Sequence, residues 1–118
     1  MNNVIHFFQF FPFDKQTKQV MIFAKSYCPY CKSTKATFRK LLGELGLGDE
    51  ISFKVLELDE QPENDGSLIQ NELYEVSGQW TVPNVFIRGM HIGGNSDVQD
   101  LLRKEELPVM IQSQSADL

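Results

Sequence analysis

The feature that most constrains this chain is a junction. A short apolar run, Gln19 to Ala24 (QVMIFA), is followed four residues on by Cys28-Pro29-Tyr30-Cys31 and then by a helical period. The run is β-prone and reads as a buried strand. Beyond it, Cys31, Lys35, Phe38, Leu42 and Leu45 follow i, i+4, i+7 spacing. Pro29 suits the first turn of that helix, where a missing N–H has no partner to lose. The junction therefore sets two cysteines at the start of a helix leaving the end of a strand. They are the only two in the chain. Two cysteines cannot build the disulfide framework of a small secreted domain. A four-ligand zinc site would also need His6 and His91, which are far apart and lack ligand spacing. Half of a zinc knuckle is thus the weaker reading of the pair, and no metal is expected.

The rest of the chain continues the alternation of strand and helix. Gly43, Gly46 and Gly48 are expected to stop the first helix, and Ser52 to Leu58 reads as a second strand. Asn64, Asp65 and Gly66 punctuate the chain before a second helix marked by Leu68, Ile69, Leu73 and Val76 and ended by Gly78. Pro83 to Ile87, the turn Arg88-Gly89, and Met90 to Ile92 form a β-hairpin. After Gly93-Gly94, the residues Asn95, Ser96 and Asp97 supply N-cap candidates for a last helix through about Lys104, with Pro108 beyond it. The order β-α-β-α-β-β-α implies one right-handed parallel unit and one antiparallel hairpin. The fold class is α/β, a four-stranded mixed sheet flanked by helices.

Composition narrows the classes further. With 42% hydrophobic and 23% charged residues, the 118 positions suit a single folded domain, residues 1–118, that needs neither disulfide nor metal to fold. A net charge of −5 argues against nucleic acid as a partner. Residues 1–14 form a Phe-rich segment, with five phenylalanines between Val4 and Phe13. That run is too short to span a bilayer, and it has no Lys or Arg before Lys15 to serve as a signal peptide's basic region. It reads as a segment packed on the domain, so no membrane is expected as a partner. Residues 108–118 read as a C-terminal tail. The expected compartment is the reducing cytoplasm, where a cysteine pair is catalytic or redox-active rather than structural. A monomer is the default for an acidic domain of this size.

The chemistry follows from position. An ordinary thiol, with a pKa near 8.5, is only about 3% ionised at pH 7, whereas the dipole and free N–H groups of a helix N-terminus favour the thiolate. Cys28 precedes the helix and is the expected nucleophile. Cys31, in the first turn, is placed to attack a mixed disulfide on Cys28 from inside. Five of the eleven cations (Lys25, Lys32, Lys35, Arg39 and Lys40) cluster on this segment and create a local positive field within an acidic protein. Lys35, Arg39 and Lys40 read as an ordinary solvated helix face; Lys25, three residues before the nucleophile, does not.

Lys25 with Cys28-Pro29-Tyr30-Cys31, then Thr81-Val82-Pro83-Asn84-Val85-Phe86-Ile87, then Gly93-Gly94-Asn95-Ser96-Asp97, resembles a dithiol glutaredoxin of the CPYC type over roughly residues 19 to 104. The resemblance implies a thioredoxin-like fold and a glutathione-dependent thiol–disulfide oxidoreductase, with glutathione as co-substrate. Its partners would be glutathionylated or disulfide-bonded proteins. It further implies a cis Val82-Pro83 bond, with the Val82 backbone paired to the glutathione cysteine. The γ-glutamyl carboxylate would rest on the N–H groups of Ser96 and Asp97, with Gly93 and Gly94 allowing close approach and Asp97 holding the ammonium. Lys25 and Gln70 would meet the glycine carboxylate, with Tyr30 alongside and Thr81 at the start of the proline loop.

The departures are Trp80, where such proteins often carry a basic residue, and Arg88 and Met90, hairpin-tip positions expected to matter little. The Phe-rich start also fits the resemblance poorly. Two competing readings remain: a thioredoxin-like reductase served by a protein reductant, and an iron–sulfur carrier sharing a cluster through Cys28 and glutathione.

Overall fold

The computed structural model describes residues 18–113; the Phe-rich start and the last five residues lie outside them. Strand β1 (Gln19–Ala24) is buried along its whole length and occupies the interior of a sheet ordered β2-β1-β3-β4. It pairs parallel with β2 (Ser52–Glu57), Val20 opposite Phe53 and Ile22 opposite Val55. On its other side it pairs antiparallel with β3 (Asn84–Ile87), which in turn pairs antiparallel with β4 (Met90–Gly93). The predicted mixed sheet and its topology are as observed, and the fold is thioredoxin-like.

Helix α1 (Pro29–Leu45) runs through Gly43 and ends at Gly46, which takes the left-handed conformation (φ 68°) that a helix C-terminus favours in glycine. Gly43 therefore sits within the helix instead of stopping it. Helix α2 (Asp65–Ser77) absorbs the expected punctuation at Asp65 and Gly66 and stops at Gly78. A single 3-10 turn, Leu58–Glu60, joins β2 to the segment before α2. Helix α3 (Asn95–Arg103) follows β4.

A fourth helix, α4 (Leu107–Gln112), occupies the start of the expected tail. Pro108 lies in its first turn, so the proline that was expected to follow the last helix instead begins another. Leu107 and Ile111 are buried, which supplies the reason this short segment is helical.

Alternation along β1 divides the core in two, because successive strand side chains point to opposite faces. Val20, Ile22 and Ala24 join Phe38, Val85, Ile87, Val98, Leu107 and Ile111 under α1, α3 and α4. Met21 and Phe23 join Leu58, Ile69, Leu73 and Phe86 under α2. On that second face Phe23 and Phe86 meet edge to face at 5.9 Å. Arg88 corrects the reading of the hairpin tip: its side chain is buried, its φ is 53°, and its N–H donates to the Gln19 carbonyl, tying the turn to the start of β1.

Two glycines inside helices face opposite surroundings. A Cβ on Gly66 would overlap the carbonyl oxygen of Leu58, whereas one on Gly43 would meet nothing within 4 Å. Gly66→Ala is therefore expected to destabilise the protein by about 1–3 kcal/mol through overpacking. Gly43→Ala should stabilise it by about 0.5–1 kcal/mol through helix propensity. Thermal unfolding would show shifts of opposite sign, roughly 4 °C for each kcal/mol.

Candidate active site

The end of β1 turns into α1 through Lys25, Ser26 and Tyr27. Cys28 is the N-cap of α1, in extended conformation, and its sulfur accepts the N–H of Cys31 at 3.3 Å. This is the contact a thiolate needs at a helix start: a backbone donor and the positive end of the helix dipole, with no acidic residue in the first turn to oppose it. On its other side the Cys28 thiol lies 3.9 Å from the Val82 carbonyl oxygen, to which it can donate. Cys28 is partly exposed and Cys31 fully buried, and neither is in a disulfide. Burial, reinforced by the adjacent Cys28, pushes the Cys31 thiol up to about 12. At neutral pH Cys31 is a proton-bearing thiol.

The loop before Cys28 is fixed from the 3-10 turn that follows β2. The Ser26 N–H donates to Asp59 Oδ1 at 2.9 Å and the Ser26 hydroxyl donates to Oδ2. These two donors hold the Asp59 carboxyl below its ordinary range. The Cys28 N–H closes the turn onto the Lys25 carbonyl at 3.1 Å.

Beside the cysteines lies an open groove of about 580 Å³, lined by Tyr30, Gln79, Thr81, Val82, Pro83, Gly94, Asn95, Ser96 and Asp97. The Val82-Pro83 bond is cis. Seven of the residues predicted from sequence, Tyr30, Thr81, Val82, Pro83, Gly94, Ser96 and Asp97, are thus brought together with Cys28 and Cys31. The far wall is the N-terminus of α3. Its N-cap is Gly94, one residue earlier than the candidates read from sequence, and the Gly94 N–H donates to Asp97 Oδ2 at 2.9 Å. Gly93 makes that turn possible: its φ is 126°, and a Cβ there would run into the Asp97 carboxylate. Asn95 Oδ1 accepts from the Thr34 hydroxyl at 2.8 Å, so the first turn of α3 is tied to the cysteine helix.

Two predicted residues lie elsewhere. Lys25 is half-buried in the loop before Cys28 and does not line the groove. Gln70 is buried in α2 and donates from Nε2 to the Trp80 carbonyl at 2.7 Å, so it fixes the path of the chain into Thr81 rather than facing the groove. Gln79, which carries no sequence signal, and Asn95, expected only as a helix cap, also line the groove. Gln79 Nε2 donates to the Thr81 and Pro83 carbonyls, at 3.1 and 3.0 Å, and so clasps the proline loop from within. Trp80 is half-exposed and packs edge to face on Tyr74. Among the described residues no cluster of three metal-ligating side chains occurs, and no helix is long and apolar enough to cross a membrane.

The glutaredoxin family model matches residues 20–92. Glutaredoxin-C4 of Arabidopsis thaliana is 44% identical over 93 residues, covering 79% of this chain and 62% of that protein. A glutaredoxin of Ricinus communis is 56% identical over 75 residues, 64% of each chain. The matched stretch is thus a little under two-thirds of the length of these two relatives. Among solved structures, the buckwheat glutaredoxin–glutathione complex superimposes with a TM-score of 0.71 at 34% identity, over 93% of this chain and 91% of its own. The holo form of glutaredoxin C1 from Populus tremula x tremuloides gives 0.72 at 34% identity, over 96% and 99%. Fold and site together define a dithiol protein of the thioredoxin-like class, its Cys28-Pro29-Tyr30-Cys31 motif facing a cis-proline loop. The chain belongs to the glutaredoxin family.

The unequal burial of the two sulfurs predicts selective chemistry. One equivalent of iodoacetamide at neutral pH should alkylate Cys28 alone, with Cys31 labelled only after unfolding, as read by peptide mass spectrometry. The Asp59 clasp has its own signature. A carboxyl held below its ordinary value in the folded state stabilises that state above its unfolded value, and the contribution fades as pH falls through the folded value. Acidification below about pH 4 should therefore weaken wild type more steeply than Asp59→Asn, in denaturant titrations across the acid range.

Proposed function

We propose that the chain is a glutathione-dependent thiol–disulfide oxidoreductase that reduces protein–glutathione mixed disulfides and protein disulfides. The observation that carries this reading is Cys28 at the N-cap of α1, its sulfur beside Val82 at the end of a groove closed by the N-terminus of α3. A tripeptide laid along the groove would pair its cysteine backbone with Val82 in the manner of an added strand. Its γ-glutamyl carboxylate would take the unpaired N–H groups of Ser96 and Asp97. Asp97 has one oxygen engaged by Gly94 and a second to meet the ammonium. The glycine end would extend past Tyr30 toward Lys25. The buckwheat complex supports the choice of glutathione.

In the monothiol route the Cys28 thiolate attacks the glutathione sulfur of a protein mixed disulfide. The protein sulfur leaves as a thiolate and is protonated, and Cys28 becomes glutathionylated. A glutathione thiolate then attacks the Cys28-bound glutathione sulfur, releasing oxidised glutathione and the Cys28 thiolate. With a protein disulfide, Cys28 forms a mixed disulfide with the target and Cys31 resolves it. The buried, protonated state of Cys31 suits a group kept silent until that second step. We place this activity in a reducing compartment and in a monomer.

The two routes separate by mutation. Cys28→Ser should abolish both, at least a 10³-fold loss given that the nucleophile itself is removed. Cys31→Ser should retain glutathione-coupled reduction of a small mixed disulfide and lose reduction of protein disulfides. A folded Cys31→Ser protein without glutathione-coupled activity, or an active Cys28→Ser protein, would refute the assignment of roles.

A further inference from the structure

The helix that carries the cysteines also buries a cation. Lys35 lies one turn beyond Cys31 on the inward face of α1, with Thr34, Phe38 and Leu42 as its buried neighbours along that face, and is only 9% exposed. Its ammonium meets Glu57 Oε2, at the end of β2, while Glu57 Oε1 is buried with no hydrogen-bond partner. The solvated face expected for Lys35 is therefore wrong for this residue, although Arg39 and Lys40 are exposed as expected. A pair like this is a poor way to gain stability, since two well-packed apolar side chains would serve as well or better. Its position one turn from the buried sulfur, on the same buried face of α1, suggests another purpose.

We propose that Lys35, held in place by Glu57, is a positioning residue for the resolving step: its buried ammonium favours the thiolate that forms on Cys31 as Cys31 attacks Cys28. The proposal rests on the reading of Cys31 as resolving thiol. In the free protein the charged and polar groups acting on Cys31 are Cys28, the Lys25 backbone and Lys35; burial and Cys28 oppose ionisation, while Lys25 and Lys35 favour it. Once Cys28 is joined to a target it can no longer hold negative charge. Its opposition ends, and Lys35 remains as the side chain that supports a Cys31 anion. Glu57 keeps the ammonium under the helix instead of letting it extend to water, as a free lysine would.

The step balances as follows. Cys31 gives up its proton, and its sulfur attacks Cys28 Sγ. The Cys28–Cys31 bond forms as the bond from Cys28 to the target sulfur breaks. The target leaves with the bonding pair and takes up a proton. Two electrons pass from the cysteine pair to the target, and no net proton is released.

The test loads Cys28 with a fluorophore-labelled peptide thiol and follows peptide release by stopped flow without glutathione. Wild type, Lys35→Met, Lys35→Arg and Glu57→Gln are compared. Each Lys35 and Glu57 variant is also measured in the Cys31→Ser background for glutathione-coupled turnover. Lys35→Met should lower the ratio of release rate to monothiol turnover about tenfold, the effect of one pKa unit on thiolate population. Lys35→Arg keeps the charge and should stay within about threefold of wild type, and Glu57→Gln should fall between. In a Cys28→Ser protein, the ultraviolet thiolate absorbance of Cys31 should titrate at higher pH with Lys35→Met. An unchanged ratio in folded Lys35→Met, or an unmoved Cys31 titration, would overturn the proposal. Should Lys35→Met fail to fold, Glu57→Gln read by the same ratio and titration decides it. Peptide release from the Cys31→Ser protein itself would instead overturn the resolving role of Cys31, and the proposal with it.

Discussion

The parallel pairing of β1 with β2 is the constraint on which the rest of the site depends. Parallel strands need a crossover, and here the crossover is α1, which must start where β1 ends. The cysteines at that start are thereby placed at one edge of the sheet. The same pairing brings the end of β2 to the same edge, which is why Glu57 and Asp59 can reach Lys35 and Ser26 from 22 and 33 residues away. Strand β3 runs the opposite way, so it begins at that edge, and the Val82-Pro83 loop that precedes it faces Cys28. Strand β4 reverses again and ends there, delivering Gly94 and the N-terminus of α3. One strand pair and one hairpin thus gather four separate stretches of sequence at a single edge, where open α/β sheets place their ligands.

Within that edge, polar clasps hold the loops and helix ends in place. Asp59 holds the loop before Cys28, Glu57 holds the helix after Cys31, and the two acids are separated only by Leu58, which is buried in the core beneath α2. Gln79 joins the Thr81 and Pro83 carbonyls, Gln70 fixes Trp80 ahead of them, and Asn95 ties α3 to α1 through Thr34. The Asp59, Glu57 and Asn95 clasps join segments far apart in sequence, whereas those of Gln70 and Gln79 brace the proline loop locally. A groove that takes a flexible ligand gains affinity when its own side does not have to be ordered on binding.

How much of this was legible follows from the range of each interaction. The apolar run QVMIFA, the period from Cys31 to Leu45 and the glycine stops at 46 and 78 are local patterns, and they located β1, α1 and α2 closely. Cys28, the proline loop and the start of α3 were legible because their chemistry is carried by contiguous residues. What sequence could not resolve was direction. Gln70 and Gln79 are equivalent by residue type, and only the tertiary path decides that one braces the loop from α2 while the other sits in the groove wall. Lys35 fell on the apolar period of α1, but its charge argued for solvent; the partner that reconciles the two, Glu57, lies on another strand. Helix α4 is six residues long, too short to show a convincing period, and forms because Leu107 and Ile111 find a core built by β1, β3 and α3.

The unequal setting of the two sulfurs is itself a consequence of helix geometry. An N-cap residue lies outside the helical turn, with its side chain free to reach forward to a backbone N–H two or three residues on, and Cys28 uses this freedom toward Cys31. Three residues later the side chain belongs to the helix proper and turns to whichever face α1 presents to the sheet, which here is the face of Phe38 and Leu42. A spacing of two residues between the cysteines therefore does more than bring them within bonding reach. It puts one sulfur at the open end of the dipole, partly exposed, and the other under cover. A wider spacing would carry the second sulfur another part-turn around the helix, away from the first. A narrower one would keep both near solvent. The motif sits at the spacing where a single rigid helix gives two identical side chains opposite settings.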